Sequence, residues 1–273
     1  PETPVFSKGR ELYGLYEART ALRNKGYVIV TEGYMDVVAL AQWGFANAVA
    51  TLGTACTADH MQKLFRFTEQ VVFSFDGDAA GRRAAGRALE AALPHATDTR
   101  RISFLFLPTE HDPDSFIREN GAEAFEERIK QAIPLSRQLL THAAHDCDLD
   151  SAEGRVRLLA QAIPLLAQLP DGGLRDQILS DLAAQARAEV DDVRRRLQQA
   201  RQDGGGHPGS GRRPAHAASH TLGDDGIPLD LSEANAAAYQ EGYDVGDPGQ
   251  GGDYAPASDR GGHWGGKGGD KRD

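Results

Sequence analysis

Three pairs of acidic side chains carry the chemistry this sequence offers: Glu32 and Asp36 in "TEGYMD", Asp76 and Asp78 in "FSFDGDAAG", and Asp112 and Asp114 in "TEHDPDSFI". Each pair follows a run of β-branched or aromatic residues. Carboxylates this close repel one another unless a cation or a proton lies between them. Hard cations such as Mg²⁺ or Mn²⁺ take one or two carboxylates and complete their shell with water or phosphate oxygens. Phosphoryl or nucleotidyl transfer is the usual work of such a site. Each pair also has a plainer reading. Asp36 serves as a first-turn acid favoured by the helix dipole, Asp78 as a helix N-cap, and 112–114 as an Asx turn capped by Asp114 or Ser115. Capping accounts for single acids and leaves three pairs at three strand ends unexplained.

The strands expected to hold these acids are "YVIVTEG" (27–33), "NAVATLG" (47–53), "QVVFSFDGD" (70–78) and "RISFLFLP" (101–108), with helical patterns between them. Near-continuously apolar strands separated by helices indicate βαβ units and a mainly parallel sheet. Such a sheet brings all three acidic pairs to one edge, at the strand carboxyl ends where open α/β sheets bind ligands. Residues 131–200 show helical spacing and no strand candidate, which reads as a small helical bundle. Beyond about residue 203 the chain is rich in Gly, Asp, Pro and Ser, and 18 of the 31 glycines lie there. That composition predicts a disordered tail.

The chain has 273 residues and a formal charge of −10, a balance that argues mildly against a general nucleic-acid binder and leaves room for a local groove. Residues 1–200 carry 23 basic and 28 acidic side chains, so the folded part is only mildly acidic. The two cysteines, Cys56 and Cys147, form no CxxC pair, which excludes a cysteine-rich zinc module within this sequence and a disulfide framework. No apolar run reaches the ~18 residues of a membrane span, and no signal-like segment opens the chain, so a cytoplasmic protein is expected. The absence of an initial methionine points to a fragment or a processed piece.

"EGYMDVVAL", "ATLGTACTADH", "FSFDGDAAGRRAAGRAL" and "DPDSFI", in this order and spacing, resemble the Toprim domain of bacterial DnaG-type primases. The likeness covers about residues 1–200. It implies a DNA-directed RNA polymerase that makes RNA primers on single-stranded DNA from ribonucleoside triphosphates during replication. It implies Glu32 as a metal ligand or general acid/base, and Asp76 and Asp78 as ligands of catalytic Mg²⁺ or Mn²⁺. Asp36, Asp112 and Asp114 would complete the acidic cluster. Lys8, in "PVFSKGRELYG", resembles a basic residue lining the nucleotide and template groove; a solvated lysine before a helix fits it equally well. Arg82, Arg83 and Arg87 read most simply as a solvated helix face.

The expected organisation is residues 1–25 as the end of the N-terminal part of the primase core, 26–120 as the Toprim α/β domain, 121–200 as a helical subdomain closing the core, and 201–273 as the tail. The resemblance also implies a replicative helicase as partner of the full-length family. The helicase-binding helices themselves are expected to be absent, the tail standing where they would begin. Without the zinc module and most of the template groove, reduced activity is expected. Two other classes stay open: a Toprim nuclease or topoisomerase relative, and a non-catalytic module that binds metal and nucleic acid.

Overall fold

The computed structural model describes Thr3 and residues 6–204; the expected tail from 205 onward lies outside the described residues. The elements run α1 (Leu15–Lys25), β1 (Val28–Thr31), α2 (Tyr34–Gln42), β2 (Ala48–Ala50), α3 (Ala58–Leu64), β3 (Gln70–Phe75), α4 (Ala79–Ala92), β4 (Arg101–Phe106), α5 (Pro113–Asn120), α6 (Ala122–Lys130) and β5 (Ile133–Pro134). Then follow α7 (Leu135–Ala143), α8 (Ala152–Leu166), α9 (Gly173–Ala186) and α10 (Val190–Gly204).

One sheet has the order β2-β1-β3-β4-β5. The first four strands are parallel, as the sequence predicts, with Ile29 beside Ala48, Val30 beside Phe73 and Phe73 beside Phe104. The chain winds outward from β1 to β2 and returns across it to β3, so the winding direction reverses between β1 and β3. The crevice beyond the carboxyl ends of those two strands is where such sheets bind ligands.

The fifth strand corrects the reading of 131–200 as free of strands. Ile133 and Pro134 pair antiparallel with Phe104 and Ser103. Two residues, one of them a proline, carry no periodicity, and proline is tolerated here because β5 is an edge strand.

Side-chain alternation sends the strands' apolar residues into two cores. On one face, Val30, Val49, Phe73, Phe75 and Phe104 pack with Leu22 of α1, Met61 and Leu64 of α3, Leu89 of α4 and Leu139 of α7. The same core continues into the bundle through Leu158, Leu166, Leu182 and Val193. Phe73, Phe75, Phe104 and Phe106 form a stacked ladder across β3 and β4, with ring centroids 5.4 to 6.4 Å apart. On the other face, Ile29, Val72 and Leu105 pack with Val37 and Leu40 of α2, Ile117 of α5 and Phe125 of α6.

His60 ties the segment before α1 to α3. Its ring is fully buried. The Thr57 N–H donates to Nδ1 at 3.2 Å, so the proton sits on Nε2, which donates to the carbonyls of Lys8 (3.0 Å) and Glu11 (3.1 Å). Burial lowers the His60 pKa below its usual value. The unfolded chain therefore binds the proton more readily than the fold, and this residue's contribution to stability is lost as pH falls below about 6.5. We expect His60→Ala to cost about 2–3 kcal/mol, since it leaves buried polar groups unpaired. Thermal unfolding followed between pH 7.5 and 5.5 should show the variant losing less stability on acidification than the wild type does.

Candidate active site

Glu32 stands one residue past β1 and Asp76 one residue past β3, the two strands flanking the point where the winding reverses. The buried Thr31 hydroxyl donates to the Gly33 carbonyl at 3.2 Å, folding the chain around Glu32. The turn after β3 is shaped by glycine. A Cβ on Gly77 would lie 2.1 Å from the Leu107 carbonyl oxygen, and a Cβ on Gly81 would lie 2.1 Å from that of Asp76. Only glycines let the first turn of α4 and the loop after β4 close on Asp76. This is the physical content of the spacing in "DGDAAG".

Charge gathers at this edge. Burial raises the pKa of Glu32, and the charges of Asp76 and Asp78 raise it further, with Arg87 opposing them. Burial also raises Asp76, helped by Asp78 and Asp112. Asp36 is pushed up to about 6, first by burial and then by Asp76, Asp112 and Asp114, against the hydrogen bond from the Gly33 N–H (3.2 Å). Members of all three pairs therefore act on one another, which sequence alone could only infer from parallel topology.

Several of the acids also cap helices. Asp78 Oδ1 accepts from the Gly81 N–H at 2.7 Å at the start of α4, as expected. At the third pair the cap is Asp112, not Asp114 or Ser115. Its Oδ1 accepts from the Ser115 N–H at 2.7 Å while the Ser115 hydroxyl accepts from the Asp112 N–H at 3.0 Å. Those bonds hold the Asp112 pKa below the usual carboxylate range. Asp114 pairs with Arg118 and accepts from the Trp43 indole N–H at 3.1 Å. A helix-capping carboxylate commits one oxygen and keeps the other for a ligand. Asp114, held by both a guanidinium and an indole, is the least available of the six.

Lys8 falls in a turn before α1, and its carbonyl is one of the two that His60 holds. Arg87, read from sequence as part of a solvated face, lies close enough to Glu32 to oppose the negative charges around it. His60 was not foreseen, because a lone histidine in a helix has no sequence signature of a clamp. Among the described residues no three His, Cys, Asp or Glu side chains already converge as a ready ligand set, and no helix is long and apolar enough to cross a membrane. The donors present are all carboxylate oxygens. Mg²⁺ suits such a set, because it needs one or two carboxylates and draws the rest of its shell from water and phosphate.

A parallel sheet of this order, with one acid after β1 and an Asp-Gly-Asp turn after β3, defines a Toprim-type domain, and residues 29–117 match the family model described as Toprim-like. The DNA primase of Escherichia coli K12 is 52% identical over 182 residues, 67% of this chain and 31% of that protein. A DNA primase domain from Pseudomonas aeruginosa superposes with a TM-score of 0.69 at 46% identity, covering 72% of this chain and 62% of that one. The DnaG primase catalytic domain solved bound to single-stranded DNA gives a TM-score of 0.67 at 49% identity, over 70% of this chain and 61% of that one. The chain belongs to the bacterial DnaG-type primases, and spans 26% to 31% of the length of the curated relatives it matches.

One expectation is overturned. Residues 136–191 match the family model described as the DnaB-helicase binding domain of primase. The helices expected to be missing beyond residue 203 are thus matched by α7, α8 and α9. Their apolar spacing reports helices packed on a core and says nothing of a partner.

The repulsion at this edge gives a test. The pKa of Asp36 in the fold lies above its unfolded value of 3.8, so the folded state holds more protons between pH 4 and 6. Stability therefore falls as pH rises through that window, and at neutral pH the charged Asp36 destabilises the metal-free fold. Asp36→Asn keeps an acceptor for the Gly33 N–H and removes the charge. We expect it to raise the melting temperature in EDTA at pH 7.5 by about 2–4 °C, equivalent to about 1 kcal/mol after solvent screening. The gain should shrink towards zero at pH 4. No gain at pH 7.5 would mean that hydration already quenches the repulsion.

Proposed function

We propose that this chain carries the nucleotidyl-transfer site of a DNA primase, joining ribonucleotides on a single-stranded DNA template. One observation carries the reading: acids from the ends of β1 and β3 share the edge where the sheet's winding reverses, and the charges of Asp76 and Asp78 add to burial in raising the pKa of Glu32. The identity to whole primases supports it.

In this reading Glu32, Asp76 and Asp78 hold Mg²⁺ or Mn²⁺, with Asp36 and Asp112 deepening the negative field and Asp114 contributing least. Bound there, the metal neutralises charge on the attacking and leaving oxygens of the transfer. Glu32 has a second role open to it. A carboxylate whose pKa is raised by burial and neighbouring charge holds a proton more readily than an ordinary one, which suits a general acid or base beside the reacting hydroxyl. Asp78 orients by its cap: one oxygen holds the start of α4, which leaves the other to take a metal. Arg87 tempers the charge on Glu32. Lys8, on the turn that His60 holds, supplies positive charge for a phosphate or template strand.

Calorimetric titration with Mg²⁺ and Mn²⁺ tests the metal site, and ribonucleotide incorporation on single-stranded DNA tests the activity. Asp76→Asn/Asp78→Asn is the variant of choice, because asparagine still caps α4 whereas alanine would cost about 1 kcal/mol of cap. Loss of metal binding in the variant, together with templated synthesis by the wild type that the variant lacks, is expected. Equal metal binding by both proteins would remove the carboxylates from the site.

The match of residues 136–191 favours a second role, contact with a replicative helicase through α7–α9. Val156, 57% exposed on α8, offers apolar surface for it. We expect Val156→Asp to weaken association with the helicase about tenfold, measured by interferometry, with the melting temperature unchanged. Unaltered affinity would place the contact elsewhere.

A further inference from the structure

A cavity of about 420 Å³ opens at the amino edge of the sheet, opposite the carboxylates. Strand beginnings line it: Tyr27 just before β1, Gln70 opening β3, and Arg101, Ile102 and Ser103 opening β4. The end of α6 and the start of α7 close it with Ile129, Lys130 and Leu135. None of the acids assigned above borders it.

Its chemistry reverses the sign of the rest of the fold. Residues 1–200 are acidic in balance, yet Arg100, Arg101 and Lys130 line this cavity against one acid, Glu126. Two of the cations are engaged. Arg100 donates to the His95 carbonyl at 3.0 Å and lies 4.3 Å from the Phe65 ring centroid. Lys130 donates to Glu127 at 2.6 Å. Arg101 has no ion pair among the described residues, and its exposed side chain sits on the first residue of β4. Around these charges the walls are apolar, from Tyr27, Ile102, Ile129 and Leu135, and Ser103 and Ser136 bring hydroxyls. Apolar walls with a few convergent polar groups are the mark of small-molecule sites, and a volume of this order suits a ligand of one or two rings.

We propose that this cavity binds a small organic anion: a flat apolar body against Tyr27, Ile102, Ile129 and Leu135, and a phosphate or carboxylate paired with Arg101. The arginine fork suits either anion, since it can donate two parallel hydrogen bonds. Lys130 and Arg100 add long-range attraction from bonds they already make. The site stands on its own lining and is independent of the chemistry assigned to the carboxylate edge.

Phenyl phosphate, benzoate and inorganic phosphate serve as probes, titrated into the full chain in EDTA and followed by calorimetry and by NMR of the protein. Phenyl phosphate or benzoate should bind one to one, about tenfold or more tighter than inorganic phosphate, because only they bring an apolar body. Arg101→Glu should weaken that binding about tenfold or more, and Arg101→Lys should retain part of it. The melting temperature should stay unchanged in both, since Arg101 is exposed and unpaired among the described residues. Asp76→Asn should bind as the wild type does, which separates this site from the carboxylate edge. Comparing the two organic probes assigns the anionic end, and either preference supports the site. Binding that survives Arg101→Glu, equal affinity for inorganic phosphate, or no saturable binding of either organic probe would overturn the proposal.

Discussion

Like charges are held together here against their own repulsion, and the sheet does the holding. Glu32 and Asp76 follow adjacent parallel strands whose register, Val30 beside Phe73, sets their backbones close together at one edge of the sheet. Behind them the ladder of Phe73, Phe75, Phe104 and Phe106 fills the core between β3, β4 and the helices. Each such aromatic buries on the order of 150–250 Å², so the energy of that core greatly exceeds the ~1 kcal/mol of repulsion expected at any one exposed carboxylate after solvent screening. A fold with that margin can keep a destabilised edge. Proteins commonly store strain of this kind where they bind ligands.

The direction of the helices softens the same repulsion. In βαβ units each helix begins at the carboxyl edge of the sheet, so α2, α4 and α5 all present their amino-terminal ends to the acids. Those ends carry partial positive charge and unpaired N–H groups. Asp36, Asp78 and Asp112 take N–H bonds from Gly33, Gly81 and Ser115, one at each of these helix starts. Capping and ligand binding are therefore not rival explanations of these residues. Capping fixes one oxygen, and with it the direction of the other. Glu32 and Asp76 have no such bond and feel burial and their neighbours' charge directly.

Much of this could be read from the chain because the relevant signals are local. Four apolar runs, three of them followed by acids, pointed to β1 to β4, and the order of the motifs pointed to the edge that the acids share. What could not be read depends on contacts distant in sequence. The strand at 133–134 is two residues long and exists only because the edge of β4 was open to it. The clamp of His60 on Lys8 and Glu11 joins segments about 50 residues apart. Asp112 takes the cap because its carboxylate, rather than that of Asp114, reaches the Ser115 N–H; "DPD" alone permits either. The helices at 136–191 show the deeper limit. Periodicity identifies the face that packs inward, and a binding surface lies on the face that periodicity leaves undetermined.

The opposite edge of the sheet obeys the same electrostatics with the sign reversed, and this determines what the cations there can mean. Helices return to the amino edge with their carboxyl ends, where basic side chains are favoured whether or not a ligand is near. Lys130 in the last turn of α6 is accounted for this way, and so is Arg100, which bonds the His95 carbonyl at the end of the turn after α4. Arg101 is not. It begins a strand, caps no helix and meets no carboxylate among the described residues, yet its side chain borders an apolar hollow. A charge beside such a surface gains nothing from the fold itself, so an anion from solution is the partner for which its position is suited.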